Sequence, residues 1–237
     1  LEERVNNRTD IRESTRKQHR SFIATLKDFK RIVYMDDLTK QNILLYDDYL
    51  GSMGMSKATK YNHHKRMKVY IGMALKLELI DKDPYSGLKF ERGKFDSRKY
   101  LTEDELAKVV RCNISSRYIS KIRDLFLFQC YTGLAYADLA KFNFANDVIV
   151  RDGRYIIADK RKKTNENYYI VLLSPAIDIL KKYDYRLPIL SNQKYNRALK
   201  EVAHLADIDK DITTHVGRHT FAVWALNHGV RMEVVSK

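Results

Sequence analysis

Apolar residues recur every three to four positions through the first third of the chain, the spacing of one face of a helix. Three helices are expected, each beginning after a residue that can cap it: from Thr9 or Asp10 to Arg31, from Thr39 to a break at residues 51–54, and from Ser56 to about Leu79. The pattern stops at Asp83-Pro84, because a residue before proline avoids the α region. Short loops between such helices predict a small helical bundle.

The second half combines helical and strand patterns. Thr102 and Glu105 form a capping box that predicts a helix from Glu103, and further helices are expected over 116–131 and 135–141. Three β-branched and aromatic segments at 148–150, 155–157 and 168–172 predict an antiparallel meander of three strands. Helices are then expected from Ser174, as its cap, over 192–206 and over 214–228. The fold class is therefore mainly α with one small three-stranded antiparallel sheet.

Residues 86–99 separate the two patterns. They hold two glycines and five cations without periodicity, which indicates a linker. The expected domains are residues 1–85 and 100–237, joined by 86–99.

The charge points to a polyanionic partner. There are 44 Lys and Arg against 30 Asp and Glu, a net charge of +14, and splitting the chain at residue 97 gives +6 and +8. Nucleic acid is the usual partner of such a chain, and two basic halves suggest a clamp closing from both sides. An anionic membrane surface is the alternative, but the single Trp224 lies far from any basic run, and no apolar run reaches the roughly 20 residues of a membrane span.

Two features concern the chain's context. Cys112 and Cys130 lack CxxC spacing, so a reducing compartment and two buried thiols are expected. The first residues carry no signal peptide and no initiator Met, so the sequence is expected to be a piece of a longer protein.

The third predicted helix carries cations and no acid over twelve residues. This composition predicts phosphate contacts along a groove, and the alternative is an ordinary solvated face. The candidate DNA-binding residues here are Lys57, Lys60, Lys65, Arg66 and Lys68.

A second basic run, residues 160–163, leads into the last hairpin turn. Strand alternation would put Arg161 and Lys163 on one face and Lys160 and Lys162 on the other. A lysine at this turn could donate a proton or bind a phosphate, and the alternative is a solubilising tip.

The third run begins the last helix, after Thr213 and Thr214. His215 and Arg218 are three residues apart near the positive end of that helix, where an imidazole, a guanidinium and free N–H groups would meet a phosphate together. A metal held by His215 and His219 is the alternative, but the Glu that follows the first His of a zincin is missing.

Taken together, these runs resemble the tyrosine recombinases of the phage integrase family. His215-x-x-Arg218 resembles the family's His-x-x-Arg box, and Lys163-Thr164 resembles its catalytic lysine before a hairpin turn. Residues 132–134, followed by Asp138 and Leu139, are similar to its Thr-Gly-Leu-Arg-x-x-Glu-Leu box. The N-terminal bundle resembles its SAM-like core-binding domain, so the resemblance covers nearly the whole chain.

The resemblance implies site-specific recombination or integration of double-stranded DNA. A tyrosine would form a 3′-phosphotyrosyl link without a metal or a high-energy cofactor, and Lys163 would protonate the leaving 5′-oxygen. Asp138 matches the acidic position of the Thr-Gly-Leu-Arg-x-x-Glu-Leu box. The residues expected to contact DNA here are Lys160, Lys162, Thr213 and Thr214. Other protomers, as a tetrameric synapse on DNA, are the implied partners. A bacterial or phage-encoded protein of the cytoplasm and nucleoid, away from membranes, is the implied setting.

Two departures from the family pattern matter. Ala135 stands where the family's first arginine would follow residues 132–134, and alanine cannot bind phosphate, so Arg161 is the expected substitute. After Gly229 a new apolar pattern begins, and the sequence stops before a matching nucleophile. The piece is therefore expected to lack the attacking tyrosine and to be inactive alone.

Three interpretations of function stay open. The chain is a piece of a recombinase, which His215, Arg218 and Lys163 favour, or a DNA-binding relative with a degenerate site, which Ala135 favours. A basic helical RNA-binding protein is the third, but no aromatic RNA-stacking signature is present.

Overall fold

The computed structural model describes residues 2–93 and 99–235. The chain divides into two compact units, residues 1–96 and residues 97–237. Residues 94–98, in the expected linker 86–99, lie outside the described residues, as do the last two residues of the sequence.

The first unit is helical. Its elements are α1 (Glu2–Asn6), α2 (Glu13–Phe29), a 3-10 turn (Met35–Asp37), α3 (Lys40–Ser52) and α4 (Lys57–Lys76). The caps expected at Thr39 and Ser56 are confirmed, since each side chain accepts a backbone N–H of the first turn.

Three helix limits of this unit differ from expectation. The helix α2 ends at Phe29 rather than Arg31, because Lys30 takes a positive φ of 61°. The cap of α2 is Arg12 rather than Thr9 or Asp10, because the Asp10 carboxylate is bonded to the Arg8 guanidinium. The helix α4 ends at Lys76 rather than near Leu79, because Glu78 takes a positive φ of 54° and turns the chain out of the helix.

The core of the first unit pairs histidines with tyrosines. His19 Nδ1 lies 2.6 Å from the Tyr70 hydroxyl, and His63 Nδ1 lies 3.0 Å from that of Tyr46. His64 bonds at 2.8 Å to the Tyr85 hydroxyl and through Nε2, at 3.0 Å, to Asp47. All three imidazoles are buried. Each buried ring therefore has a polar partner, as burial requires.

The second unit is built around one buried helix. Its elements are α5 (Glu103–Arg111), α6 (Arg117–Thr132), α7 (Tyr136–Leu139), α8 (Phe144–Asp147), three strands, α9 (Ser174–Lys182), α10 (Asn192–Leu205), α11 (Thr214–Asn227) and α12 (Met232–Val235). The helix α6 packs against α9, α10 and α11, and Ile122, Leu125, Phe126 and Phe128 are fully buried on it. The capping box of Thr102 and Glu105 is confirmed.

The sheet is the expected antiparallel meander. Its strands are β1 (Val148–Arg151), β2 (Arg154–Lys160) and β3 (Asn167–Val171), in the order β1-β2-β3. Ile157 pairs with Val148 and Ile170 and is fully buried against the helices. The fold is therefore mostly helical with one small sheet, as the sequence predicts.

Some sequence expectations for this unit were wrong in detail. The cap of α9 is Leu173 rather than Ser174, which is the first helical residue and is followed by a proline that fits the first turn. Cys130 is buried as expected, but Cys112 is partly exposed because it ends α5. Across the part of the chain that the structure describes, no helix combines the length and the apolar character of a membrane span.

The buried histidines predict acid sensitivity. Burial lowers the pKa of His19, His63 and His64 in the folded chain, although Asp47 acts in the opposite direction on His64. The unfolded chain therefore binds more protons below about pH 6.5. The contribution of these three histidines to the free energy of unfolding is fully present above about pH 6.5 and is lost as the pH falls below it.

We expect the free energy of unfolding in urea to be lower at pH 5.5 than at pH 7.5. Replacing the exposed His204 by Gln should leave this difference intact, whereas equal stability at the two pH values would contradict the prediction.

Candidate active site

A rigid turn follows α6. Gly133 takes a positive φ of 65° and caps the helix, and Thr132 donates its hydroxyl proton to the Phe128 carbonyl at 2.7 Å. The buried Gln129 side chain donates to the Leu134 carbonyl at 3.0 Å and accepts from the Tyr195 hydroxyl at 2.9 Å. Because these polar groups are paired inside the core, they hold the Thr-Gly-Leu turn in one conformation.

The Thr-Gly-Leu turn also fixes the position of Arg218. This residue lies on the second turn of α11 and donates from Nη1 to the Gly133 carbonyl at 2.6 Å. The ring of Phe221, one turn further along α11, packs on Gly133 so closely that a Cβ there would overlap it. A glycine at 133 is therefore needed both for its positive φ and for the approach of α11.

The hairpin between β2 and β3 carries Arg161. Its guanidinium pairs with the buried Asp138 at 3.4 Å and stacks over the Tyr168 ring, with Cζ 4.3 Å from the ring centroid. The other Asp138 oxygen accepts the Lys162 backbone N–H at 2.8 Å. Asp138 therefore fixes both the backbone of the turn and the direction of the Arg161 side chain.

The expected alternation of the basic run is wrong. Arg161 and Lys163 do not share a strand face, nor do Lys160 and Lys162, because β2 ends at Lys160. Beyond it the backbone closes into a turn, in which Asn165 N–H donates to the Arg161 carbonyl and Arg161 N–H donates to the carbonyl of Glu166, both at 2.8 Å. Arg161 is largely buried at the base of this turn, whereas Lys163 is exposed on it.

Arg161 and Arg218 line one cavity of about 490 Å³. Thr132, Gly133 and His219 also line it, and its apolar wall includes Phe221 and Trp224. Burial lowers the pKa of Arg218, the positive charge of Arg161 lowers it further, and Asp138 opposes both effects. Two guanidiniums thus repel each other in a partly desolvated space, which favours binding of an anion between them.

The other candidate site residues lie outside this cavity. Lys163 and His215 are exposed, and neither is among the described residues that line it. Ala135 is the N-cap of α7 and offers no side-chain cap. Thr214 is buried, and its N–H donates to Asn196 at 3.0 Å, while Thr213 is the N-cap of α11. The structure therefore brings Arg161, Arg218 and Asp138 together. Lys163 follows Arg161 by two residues and His215 precedes Arg218 by three, but both side chains lie at the surface.

The candidate DNA contacts of α4 have different surroundings. Lys60 is paired with Asp47 at 2.6 Å, and Arg66 donates to Gln18 at 2.7 Å. The exposed members are Lys57, Lys65 and Lys68. At about 100° per residue, the spacing of these three lysines places them within about a quarter-turn of one another, beside the buried face of the helix.

The two histidines considered as metal ligands, His215 and His219, have ring centroids 6.5 Å apart. Among the described residues no group of three or more His, Cys, Asp or Glu is placed to hold a metal ion.

Several contacts of the site were not expected from the sequence. The bond from Arg218 to Gly133 and the pairing of Asp138 with Arg161 join residues that are 85 and 23 positions apart. The sequence signals for these contacts were Gly133, Asp138 and the basic run at residues 160–163. Each lies in a separate motif, and no sequence pattern links one motif to another.

Comparisons with known proteins agree with the architecture. The model of the phage integrase SAM-like domain matches residues 1–92, and that of the phage integrase family matches residues 99–237. The tyrosine recombinase XerD of Oceanobacillus iheyensis is 22% identical in a match that covers 92% of this chain and 78% of that protein.

Solved structures share the fold at low sequence identity. A λ integrase(75-356) dimer bound to a COC′ core site aligns with a TM-score of 0.77 and 17% identity, over 96% of this chain and 84% of that one. The Tn1549 transposon integrase in complex with transposon right-end DNA aligns with a TM-score of 0.71 and 15% identity, over 99% and 87% of the two chains. The XerH recombinase bound to a palindromic difH substrate aligns with a TM-score of 0.74 and 15% identity, over 94% of this chain and 71% of that one.

The contact between Gly133 and Phe221 predicts an unusually costly substitution. Gly133→Ala would strain a positive φ, at about 1–2 kcal/mol, and would also overlap the Phe221 ring, at about 1–3 kcal/mol more. Gly153→Ala is the matched control, because Gly153 has a φ of 70° with nothing within 4 Å of an added Cβ.

Denaturant unfolding of both variants separates the two costs. We expect Gly133→Ala to lose more stability than Gly153→Ala; equal losses would show that the approach of α11 does not depend on this glycine.

Proposed function

Because the chain belongs to the phage integrase family of tyrosine recombinases, we propose that it takes part in DNA strand exchange through a phosphate-binding site formed by Arg161 and Arg218. The observation that carries this proposal is the cavity that both arginines line, where the charge of Arg161 acts on Arg218. A scissile phosphate there would accept hydrogen bonds from both and relieve their mutual repulsion.

In the proposed reaction a tyrosine hydroxyl attacks the phosphorus atom of the DNA backbone. A bond forms between the tyrosine oxygen and phosphorus, and the bond from phosphorus to the 5′-oxygen breaks, so a 3′-phosphotyrosyl link and a 5′-hydroxyl result. The energy of the phosphodiester is kept in the new ester, which the 5′-hydroxyl of a partner strand attacks in the reverse sense. No nucleotide is consumed.

The transition state explains the need for two arginines. The phosphorane in the transition state carries more negative charge than the starting diester, so fixed cations bind it better than the ground state. The bond to Gly133 orients Arg218, and the pairing with Asp138 orients Arg161. In this proposal Arg161 supplies the charge that Ala135 cannot.

Lys163 and His215 complete the proposed site from the surface. Lys163 lies two residues beyond Arg161, on the exposed turn, where it could deliver a proton to the leaving 5′-oxygen. His215 lies three residues before Arg218 at the start of α11, where it could bond a phosphate oxygen. Both would be covered by DNA in the complex rather than by the protein.

The proposed partners are duplex DNA and further protomers. The DNA contacts of the first unit are the exposed lysines of α4, and those of the second unit are the turn at 160–163 with Thr213. The λ and Tn1549 integrases and XerH are described bound to DNA, and λ integrase is described as a dimer on DNA and as a tetramer on a Holliday junction. A similar assembly of this chain is part of the proposal.

A non-catalytic DNA-binding relative is the second candidate function, and Ala135 favours it. It predicts binding without chemistry, so cleavage assays separate the two.

Cleavage of a nicked suicide substrate by the complete protein encoded by this gene tests the site. We expect Arg218→Ala and Arg161→Ala each to slow formation of the covalent adduct about 100-fold or more while most of the DNA affinity remains. Arg154→Ala is the matched control, because Arg154 is an exposed arginine at the start of β2, the strand that leads into Arg161.

Ala135→Arg in the Arg161→Ala background should restore part of the lost rate. If Arg161→Ala cleaves as fast as Arg154→Ala, the role of Arg161 is wrong, and if the unaltered protein binds DNA without forming an adduct, the binding function replaces the catalytic one.

The salt dependence of DNA binding tests the face on α4. Replacing Lys57, Lys65 and Lys68 together by Gln should weaken binding to all sequences and reduce the slope of log K against log salt by about one per lysine. Lys60→Gln should leave the slope nearly unchanged, because Asp47 already neutralises that lysine. A larger slope change for Lys60→Gln than for the triple variant would assign the DNA to a different face.

A further inference from the structure

A second ion pair joins the segment after α7 to the same hairpin. Lys141 lies two residues beyond the end of α7, and its Nζ is 2.6 Å from Asp159 Oδ2. The same ammonium donates to the backbone carbonyl of Lys160. The other Asp159 oxygen accepts the Lys160 N–H at 2.6 Å, and the Tyr168 hydroxyl reaches Asp159 at 3.4 Å.

The hairpin is therefore held at two places from one short segment. Asp138 binds the Lys162 N–H and the Arg161 side chain, and Lys141 binds Asp159 and the Lys160 carbonyl. Four consecutive residues, 159–162, are thus attached to a segment that precedes them by about twenty positions. We call the Lys141–Asp159 pair, with the Lys160 carbonyl, the strand-end clamp.

The clamp is poorly suited to stabilise the fold. The side chains of Lys141 and Asp159 are 31% and 22% exposed, and pairs so open to water contribute at most about 1 kcal/mol. The strand also has its own ladder, in which Lys160 pairs with Asn167. Although burial opposes it, the bonds from Lys141 and from the Lys160 N–H lower the pKa of Asp159, so the carboxylate stays charged at neutral pH.

The clamp acts where the chain leaves the strand. The Lys160 carbonyl belongs to the peptide group that leads into Arg161, so its direction sets where the Arg161 side chain and the turn with Lys163 begin. We propose that Lys141 is a positioning residue that fixes this peptide before DNA binds, so that Arg161 and Lys163 approach one phosphate together. This inference rests on the proposed function for the part that concerns catalysis.

The chain offers a closely matched control. Lys210 pairs with Glu105 at the same distance of 2.6 Å, with side chains 32% and 22% exposed, and it also donates to a backbone carbonyl, that of Tyr100. This pair joins α5 to the loop before α11 rather than to the hairpin. Lys141→Met and Lys210→Met therefore remove equivalent interactions that differ in location.

Four measurements on the complete protein test the inference: thermal unfolding, hydrogen exchange, affinity for DNA, and single-turnover cleavage of a suicide substrate. We expect similar small losses of stability in both variants and unchanged affinity for DNA. Amide exchange at residues 160–166 should become faster in Lys141→Met alone. Adduct formation should slow about 10- to 100-fold in Lys141→Met and less than about twofold in Lys210→Met. Lys141→Arg, which keeps the charge and the donors, should recover most of the rate.

The outcomes are distinct. Equal cleavage rates in the two Met variants, or a slower rate explained entirely by weaker DNA binding, would overturn the positioning role. Unchanged exchange at residues 160–166 in Lys141→Met would overturn the clamp itself, whatever the enzyme does. If Arg218→Ala also leaves cleavage unchanged while exchange rises in Lys141→Met, the proposed function fails and the clamp stands.

Discussion

The approach of α11 to the end of α6 fixes the position of Arg218, the residue on which the proposed phosphate site depends. Two glycines make the approach possible: Gly133 lies under the Phe221 ring, and an added Cβ at Gly217 would lie 3.2 Å from the Phe126 ring. Because the helices meet so closely, Arg218 reaches the Gly133 carbonyl and its guanidinium is held at the cavity. The hairpin and α7 then add Arg161 and Asp138 around that fixed group.

In the proposed site, Arg161 supplies the charge of the arginine that Ala135 replaces. A phosphate-binding site needs a positive charge at one point in space, and side chains from different positions in the sequence can supply it there. Asp138, at the position that resembles the acidic position of the family's first box, pairs with Arg161 from the hairpin. In this proposal the positive charge lies on the hairpin and its acidic partner lies on α7.

Local features of the fold could be predicted because their causes are local. Thr39, Ser56 and Thr102 accept N–H groups three residues ahead, and the strands follow from β-branched runs between turns. The placement of His215 and Arg218 near the start of one helix follows from the helical pattern of the sequence. The end of β2 could not be predicted, because bonds from Asp138 and Lys141 contribute to the path of the chain there. The same holds for the contact of Gly133 with Phe221, which only the packing of two distant helices creates.

Arg161 and Arg218 are proposed to bind one phosphate, and a structure of the chain with a duplex that it selects from a random DNA pool is the decisive test. We expect both guanidiniums to lie within about 3 Å of oxygens of the same backbone phosphate, with Asp138 still beside Arg161. Arg161 on a different phosphate from Arg218, or turned away from the DNA altogether, would overturn the proposal.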